Sequence, residues 1–235
     1  MLILAFETSA KAASAALMDE KKLLGETYGN TGLTHSQTLM VMAEDLLKQC
    51  SRAVTDVTHV AVAAGPGSFT GIRIGAAAAK GFAWGRELPC FGVSTLKAMA
   101  LSLGIYDGYV CPVMDARRSQ VYNALFQCHC GECTRIREDR AISLQELGED
   151  LQTLKKPVFL VGDGSILCYN SLSECVPELV MPPEHRMHQR ASGVALAALQ
   201  KIRAGEEGNG ASLVPNYLRL SQAERERLAR GQSLT

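Results

Sequence analysis

The sequence has no excess of charge of either sign, which limits the partners that it can bind alone. Its 235 residues include 24 Lys and Arg and 24 Asp and Glu, so the formal net charge is +0. Phosphate contacts supply most of the affinity of proteins that bind nucleic acids, and such proteins usually carry a basic excess. We therefore expect no direct, tight binding of RNA by this chain alone.

The sequence also lacks long apolar runs. It has no continuous apolar stretch of the about 18 residues that a membrane-spanning helix needs. The first residues, Met1 to Glu7, contain no basic group of the kind that opens a secretory signal. We expect a cytoplasmic protein with no membrane partner, and the 47% of hydrophobic residues are enough for a sizeable core.

Cysteine is not scarce, but its placement argues against a disulfide framework. Six of the eight cysteines sit in or beside apolar runs, where a reduced cysteine behaves as a small hydrophobic residue. They are Cys50, Cys90, Cys111, Cys128, Cys168 and Cys175. The segment Cys128–Cys133 holds three cysteines and His129. Because no second ligand cluster occurs elsewhere, this spacing favours a hairpin tip, with a local metal or redox site as the alternative.

Apolar runs alternate with turn residues in a pattern that predicts an α/β fold. Strand-like runs begin at Leu2, Ala13 and Leu23 and predict a meander of three strands. A helical spacing of apolar residues follows from Thr34 to Cys50. A fourth strand is predicted from Val57 to Ala63, before a glycine-rich loop and a helix of small residues.

The same pattern restarts after residue 105 and predicts a second lobe. We expect a first lobe of residues 1–104 and a second of residues 105–235, each with a sheet and helices. The second lobe is expected to include a returning helix from Ala191 to Arg203 and a charged tail whose Ser221–Arg230 segment forms a solvated helix.

The loop that begins at Gly65 has the sequence GPGSFTGIRIG and allows two interpretations. Glycines and free amides at a helix start favour anion binding, as in phosphate-binding loops. However, no Gly-Lys-Ser/Thr follows, and Gly71 falls one residue too late for the GxGxxG pattern. The alternative is a tight turn into a helix whose glycines and alanines let another element approach closely.

Several motifs together resemble the TsaB (YeaZ) family, in the order in which that family has them. They are ILAFETS from Ile3, His35-Ser36, GPGSFTGIRIG from Gly65, Ala79-Lys80-Gly81, Asp115-Ala116-Arg117-Arg118 with Tyr122, Gly162-Asp163-Gly164 and PNYLR from Pro215. This resemblance covers nearly the whole chain. It implies the two-lobed actin/Hsp70-like fold of sugar kinases.

The resemblance implies a non-catalytic subunit in the formation of threonylcarbamoyl-adenosine in tRNA. Such a subunit binds the catalytic paralogue TsaD, which transfers the threonylcarbamoyl group to N6 of adenosine 37, and the complex recruits the ATPase TsaE. The interface with TsaD would lie on the first two helices, about Thr34–Cys50 and Thr70–Gly85, and would support a homodimer when TsaD is absent. The residues expected there are His35, Leu39, Met42, Leu46, Gly71, Ile74, Gly75, Ala78 and Phe82.

The resemblance also suggests that this chain has lost the metal and nucleotide chemistry of its relatives. In TsaD, two histidines four residues apart bind a metal ion, whereas here the residue four positions after His35 is Leu39. One histidine cannot hold a catalytic ion, so we expect no metal, no catalytic residue and no cofactor in this chain. A degenerate nucleotide site would comprise Glu7, Thr8, Gly65, Gly67, Ser68, Gly162, Asp163 and Gly164. The alternative is a stand-alone ATPase or kinase of the same fold, which would need these loops and Glu7 intact.

Overall fold

The computed structural model describes residues 1–104, 107–130, 132–219 and 227, which form two five-stranded sheets with helices. The strands are β1 (Leu2–Glu7), β2 (Ala13–Asp19), β3 (Leu23–Gly29), β4 (His59–Ala63), β5 (Cys90–Val93), β6 (Asp107–Asp115), β7 (Gln120–His129), β8 (Glu132–Ser143), β9 (Val158–Val161) and β10 (Leu179–Val180). The helices are α1 (His35–Gln49), α2 (Phe69–Trp84), α3 (Thr95–Leu103), α4 (Leu144–Leu151), α5 (Ser165–Leu172) and α6 (Ala191–Arg203).

The first sheet has the order β3-β2-β1-β4-β5. β1 pairs with β2 antiparallel and with β4 parallel, so the apolar first strand lies at the centre and is buried along its whole length. One face of the sheet packs against α1 and α2, where Phe6, Leu39 and Leu46 are buried. The predicted meander and the helices that follow it are confirmed.

The second sheet has the order β10-β9-β6-β7-β8, with a parallel pair between β6 and β9 and antiparallel pairs along β6, β7 and β8. Its core lies under α4 and α5. The start of α4 is fixed by a capping box, in which the Ser143 hydroxyl accepts from the Glu146 backbone N–H and the Glu146 carboxylate accepts from the Ser143 N–H.

Helix α6 lies late in the chain, after the second sheet, but packs against the first sheet. Its residues Ala191, Val194 and Ala198 are buried against the face of the first sheet that lies opposite α1 and α2. The predicted second lobe, residues 105–235, therefore contains a helix that completes the core of the first lobe. The predicted tail helix, Ser221–Arg230, lies outside the described residues apart from Arg227.

The hairpin between β7 and β8 corrects one cysteine prediction. Cys128 and Cys133 face each other across the two strands and form a disulfide. The expectation that Cys128 is reduced is therefore wrong, because strand pairing brings two sulfurs together that sequence spacing alone did not pair. The predicted hairpin tip is confirmed, and the described residues contain no group of three or more His, Cys, Asp or Glu able to hold a metal ion.

The helices of the described residues are too short or too polar to cross a bilayer.

Candidate functional site

The glycine-rich loop between β4 and α2 is closed by a distant segment of the chain. Gly65 has φ +115°, and a Cβ there would lie 2.5 Å from the carbonyl oxygen of Asn216. The Asn216 N–H in turn donates to the Ala64 carbonyl at 2.6 Å. Only glycine fits this crossing, because a side chain would collide with backbone that cannot move aside.

The same loop is packed against the turn that follows β1. The Ser68 N–H donates to the Ser9 carbonyl at 2.7 Å, and the Thr8 hydroxyl donates to the Gly71 carbonyl at 2.8 Å. A Cβ at Gly71 would lie 2.0 Å from the Thr8 carbonyl oxygen. An anion held by this loop would need free backbone amides. The Ser68 N–H is instead bonded to Ser9, and the Gly71 N–H donates to Ser68 Oγ at 3.2 Å. These contacts support the close-packing interpretation of the loop over phosphate binding.

Glu7 ends β1 inside the protein, where its carboxyl group is removed from solvent. Its side chain is 1% exposed, and its Oε1 accepts from the Ser9 N–H at 2.6 Å. Its Oε2 has no hydrogen-bond partner among the described residues. Burial raises the pKa of Glu7 to about 7, although the hydrogen bonds from Ser9 act in the opposite direction.

The turn Gly162–Gly164 brings a second carboxylate toward the first lobe. A Cβ at Gly162 would lie 2.2 Å from the Val113 carbonyl oxygen, so the turn is packed tightly against β6. The Gln189 side-chain amide donates to Asp163 Oδ1 at 3.4 Å. Desolvation raises the pKa of Asp163, and the Asp115 charge adds to this effect. Asp163 itself is exposed, so solvent screens its charge more than that of the buried Glu7.

The structure brings together the two halves of the predicted degenerate nucleotide site, because the loops of both halves contact Met114. A Cβ at Gly67 would lie 3.2 Å from Met114 Cε, and a Cβ at Gly164 would lie 3.1 Å from the Met114 carbonyl carbon. We call the junction of these two loops the cleft. Sequence reasoning missed Gln189, which is 1% exposed and leaves its Oε1 without a partner among the described residues. No motif marks Gln189, because it reaches the cleft only through the return of the chain to the first lobe.

His35, the remaining histidine of the TsaD-type pair, is held by its own lobe. Its Nε2 lies 2.8 Å from the Ala10 carbonyl oxygen, which can only accept, so Nε2 carries the proton. Leu39, at the place of the second histidine, is 1% exposed and belongs to the core beneath α1. The Nε2 atom of His35 is thus bound within its own lobe, and its buried Nδ1 has no hydrogen-bond partner among the described residues.

Four of the nine predicted interface residues are buried within the chain and cannot contact a partner directly in this conformation. They are Leu39, Leu46, Gly71 and Gly75. Their helix faces cover the first sheet, and a Cβ at Gly75 would lie 2.4 Å from Thr8 Oγ1. The assignment of the two helices to a partner stays a prediction, and these four residues face the sheet of their own lobe instead.

The other five predicted interface residues retain partial exposure, and the same helices also present residues that the prediction missed. His35, Met42, Ile74, Ala78 and Phe82 are half-buried. Met40 and Val41 on α1 and Trp84 on α2 are exposed, the indole at 80%. The sequence contained enough information to find Met40 and Val41. They follow the inward residue Leu39 by one and two positions, and side chains at that spacing lie on other faces of a helix.

We call the exposed and half-buried apolar residues of α1 and α2 the helical face. Its members are Met40, Val41, Met42, Ile74, Ala77, Ala78, Phe82 and Trp84. Large apolar groups that stay in contact with water on neighbouring helices are typical of a protein–protein interaction surface.

Both the sequence and the structure of this chain resemble known proteins. Residues 30–227 match the family model described as TsaD, tRNA N6-adenosine threonylcarbamoyltransferase. A relative from Bacillus subtilis, named tRNA threonylcarbamoyladenosine biosynthesis protein TsaB, is 33% identical over 225 residues, which are 95% of this chain and 96% of the relative.

Two solved structures extend the comparison to the fold. A Pseudomonas aeruginosa protein described as similar to peptidase YEAZ has a TM-score of 0.75 and 26% identity, and the match covers 93% of this chain and 99% of that one. The ROK hexokinase of Thermus thermophilus has a TM-score of 0.51 at 11% identity, with 87% of this chain and all of that chain covered (100%), which shows a shared fold alone.

Proposed function

Because the chain belongs to the TsaB (YeaZ) family and has the two-lobed actin/Hsp70-like fold, we propose that it is a non-catalytic subunit of the machinery that forms threonylcarbamoyl-adenosine in tRNA. In this role it binds TsaD and activates it for transfer of the threonylcarbamoyl group to N6 of adenosine 37. TsaE joins the complex, and tRNA is bound only through the complex. Without TsaD, the chain forms a homodimer.

The observation that carries this proposal is the helical face. Val41 is 56% exposed and Trp84 is 80% exposed, although both are large apolar side chains. Burying such a side chain in an interface contributes about 1.5–3 kcal/mol relative to leaving it in water. A partner helix that covers this face would therefore gain free energy from several residues at once, and a second copy of the chain would gain from the same contacts.

The cleft supports the non-catalytic part of the proposal. The glycine loop bonds to Ser9 and Asn216 of the chain itself, and Glu7 is partly neutral near pH 7 because of its burial. An ATPase or kinase of this fold would need a loop whose amides are free to bind phosphate. In this proposal, ATP and the catalytic metal ion are bound by the partner subunits.

The proposal is tested by reconstituting threonylcarbamoyl transfer with TsaD, TsaE and the adenylate-forming components. Transfer should appear only when this chain is added, and the chain alone should neither transfer the group nor hydrolyse ATP. ATP turnover by the purified chain would favour a stand-alone enzyme instead. Full transfer without the chain would remove the activating role.

Substitution of the helical face gives the residue-level test. Val41→Asp should abolish binding to TsaD in gel filtration, together with activation. Ile166→Asp is the matched control, since Ile166 is 60% exposed on α5 of the second lobe and receives the same chemical change. Retained binding by Val41→Asp would move the interface away from α1.

A further inference from the structure

Arginine side chains from three parts of the chain meet at one edge of the structure. Arg117 and Arg118 are exposed in the turn between β6 and β7. The Arg219 guanidinium donates to the carbonyls of Ala116 and Arg117. The same terminal segment reaches α2, because Arg73 Nε donates to the Tyr217 hydroxyl at 2.9 Å. We call Arg73, Arg117, Arg118 and Arg219 the arginine surface.

An aromatic stack fixes one side of the arginine surface. The rings of Phe69 and Tyr217 lie 4.0 Å apart and are inclined by 10°. The Arg73 guanidinium lies 4.5 Å from the Phe69 ring centroid and 5.7 Å from that of Tyr217. Tyr217 remains 38% exposed, so its ring is accessible to a partner while Phe69 and the Arg73 cation hold it in place.

The turn that carries Arg117 and Arg118 has an unusual backbone. Three successive residues, Arg117, Arg118 and Ser119, have φ values of +62°, +56° and +54°. The left-handed region is unfavourable for residues with a Cβ, so the turn must be held by its surroundings. The Arg117 N–H donates to Asp115 Oδ1 at 2.6 Å, and Arg219 holds two of the carbonyls. This leaves both exposed guanidinium groups free to face a partner.

The described residues leave the arginine surface without an ion-paired acid. Within the part of the chain that the structure describes, no carboxylate lies within 4.0 Å of a guanidinium of the arginine surface. By contrast, Arg135, Arg140 and Arg190 each form an ion pair with a neighbouring acid. Four cations therefore share this surface with the Asp115 carboxylate, in a chain whose net charge is +0.

We propose that the arginine surface contacts the phosphate backbone of an RNA, with Tyr217 available to stack on an unpaired base. Guanidinium groups bind phosphate oxygens in pairs of hydrogen bonds, and aromatic rings beside them are typical of surfaces that bind single-stranded RNA. An acidic protein partner would bind the arginines but would not require the exposed ring of Tyr217. The proposal rests on the proposed function, in which RNA meets this chain inside a complex, and a few contacts are then sufficient.

The test measures binding of tRNA to the assembled complex with TsaD at several salt concentrations. Arg117→Gln with Arg118→Gln removes two cations without altering a helix or strand. The matched control is Arg52→Gln with Lys155→Gln, two exposed cations outside this surface. A plot of log K against log salt has a negative slope, and each lost phosphate contact should reduce the magnitude of that slope by about 0.7 to 0.9. The affinity ratio of parent and double variant should then shrink by about tenfold between 50 and 200 mM salt.

Tyr217→Leu should weaken binding without changing this slope, and the control variant should behave like the parent. An unchanged slope and affinity in the double variant would overturn the RNA proposal, while loss of TsaD binding by that variant would assign the surface to a protein and overturn it equally. Neither result bears on the proposed function, which fails only if the parent chain does not bind TsaD or stimulate transfer.

Discussion

Replacing Glu7 with glutamine should remove a pH dependence of stability that the parent chain carries between pH 5 and pH 8. Burial raises the pKa of Glu7 from 4.5 to about 7 in the folded state. Between these values the folded chain binds more protons than the unfolded chain, so the free energy of unfolding falls as the pH rises. The full shift corresponds to about 3 kcal/mol, of which about 2.5 kcal/mol should be lost between pH 5 and pH 8.

Glutamine keeps the oxygen that accepts from the Ser9 N–H but cannot ionise. Its amide nitrogen would stand where Oε2 has no partner among the described residues, so the variant should carry an offset that is the same at every pH. The readout is therefore the difference between variant and parent, not the stability of either. The half-buried His59, whose pKa is lowered mainly by desolvation, makes stability rise with pH, but it does so equally in both proteins.

The measurement is urea unfolding at pH 5, 6, 7 and 8, with the m value checked for constancy. The stability of Glu7→Gln relative to the parent should rise by about 2.5 kcal/mol across this series. Glu174→Gln, which changes an exposed carboxylate on the second lobe, should run parallel to the parent. If Glu7→Gln also runs parallel, Glu7 does not titrate with a raised pKa, and the cleft carboxylate is already ionised below pH 5.

Two pairs of substitutions test the packing of the first helices by urea unfolding. Gly75→Ala should destabilise the chain by about 1–3 kcal/mol because its Cβ would meet Thr8 Oγ1, whereas Gly81→Ala, in open space on α2, should stabilise it by about 0.5–1 kcal/mol. Leu39→Ala should cost about 2–5 kcal/mol, and Met40→Ala should stay within about 0.5 kcal/mol. Equal effects within either pair would show that the inward faces of these helices are assigned incorrectly.

Much of the fold followed from local patterns. The three opening strands and α1 were predicted because apolar runs and helical spacing are local properties of the chain. The actin/Hsp70-like fold predicted from the motifs is also confirmed. A returning helix from Ala191 to Arg203 was expected, but the sheet that it covers did not follow from local patterns, because its alanine-rich inward face would fit either lobe.

The candidate site was predicted less well, since helical spacing locates an apolar face without saying what covers it. Leu39 and Leu46 were assigned to a partner, although the sheet of the same lobe covers them. The disulfide of Cys128 and Cys133 was missed for a related reason, as it depends on the register of two strands. In both cases the missing information was which surface lies opposite, and that is a property of tertiary structure.

The glycine loop shows why the same residues can mark a binding site in one protein and a packed turn in another. Gly65 and Gly71 are needed wherever backbone must approach closely, and the approaching group can be a phosphate or a carbonyl. Here it is the carbonyl of Asn216 at one glycine and of Thr8 at the other. Thr8 lies beside the loop because it directly follows β1, the neighbour of β4, whereas Asn216 arrives only because the chain returns after α6. The terminal segment thus both closes the loop, through Asn216, and carries Tyr217 and Arg219 to the arginine surface. Truncation before Asn216 should therefore weaken RNA binding by the complex and expose the loop together, whereas Tyr217→Leu should affect RNA binding alone.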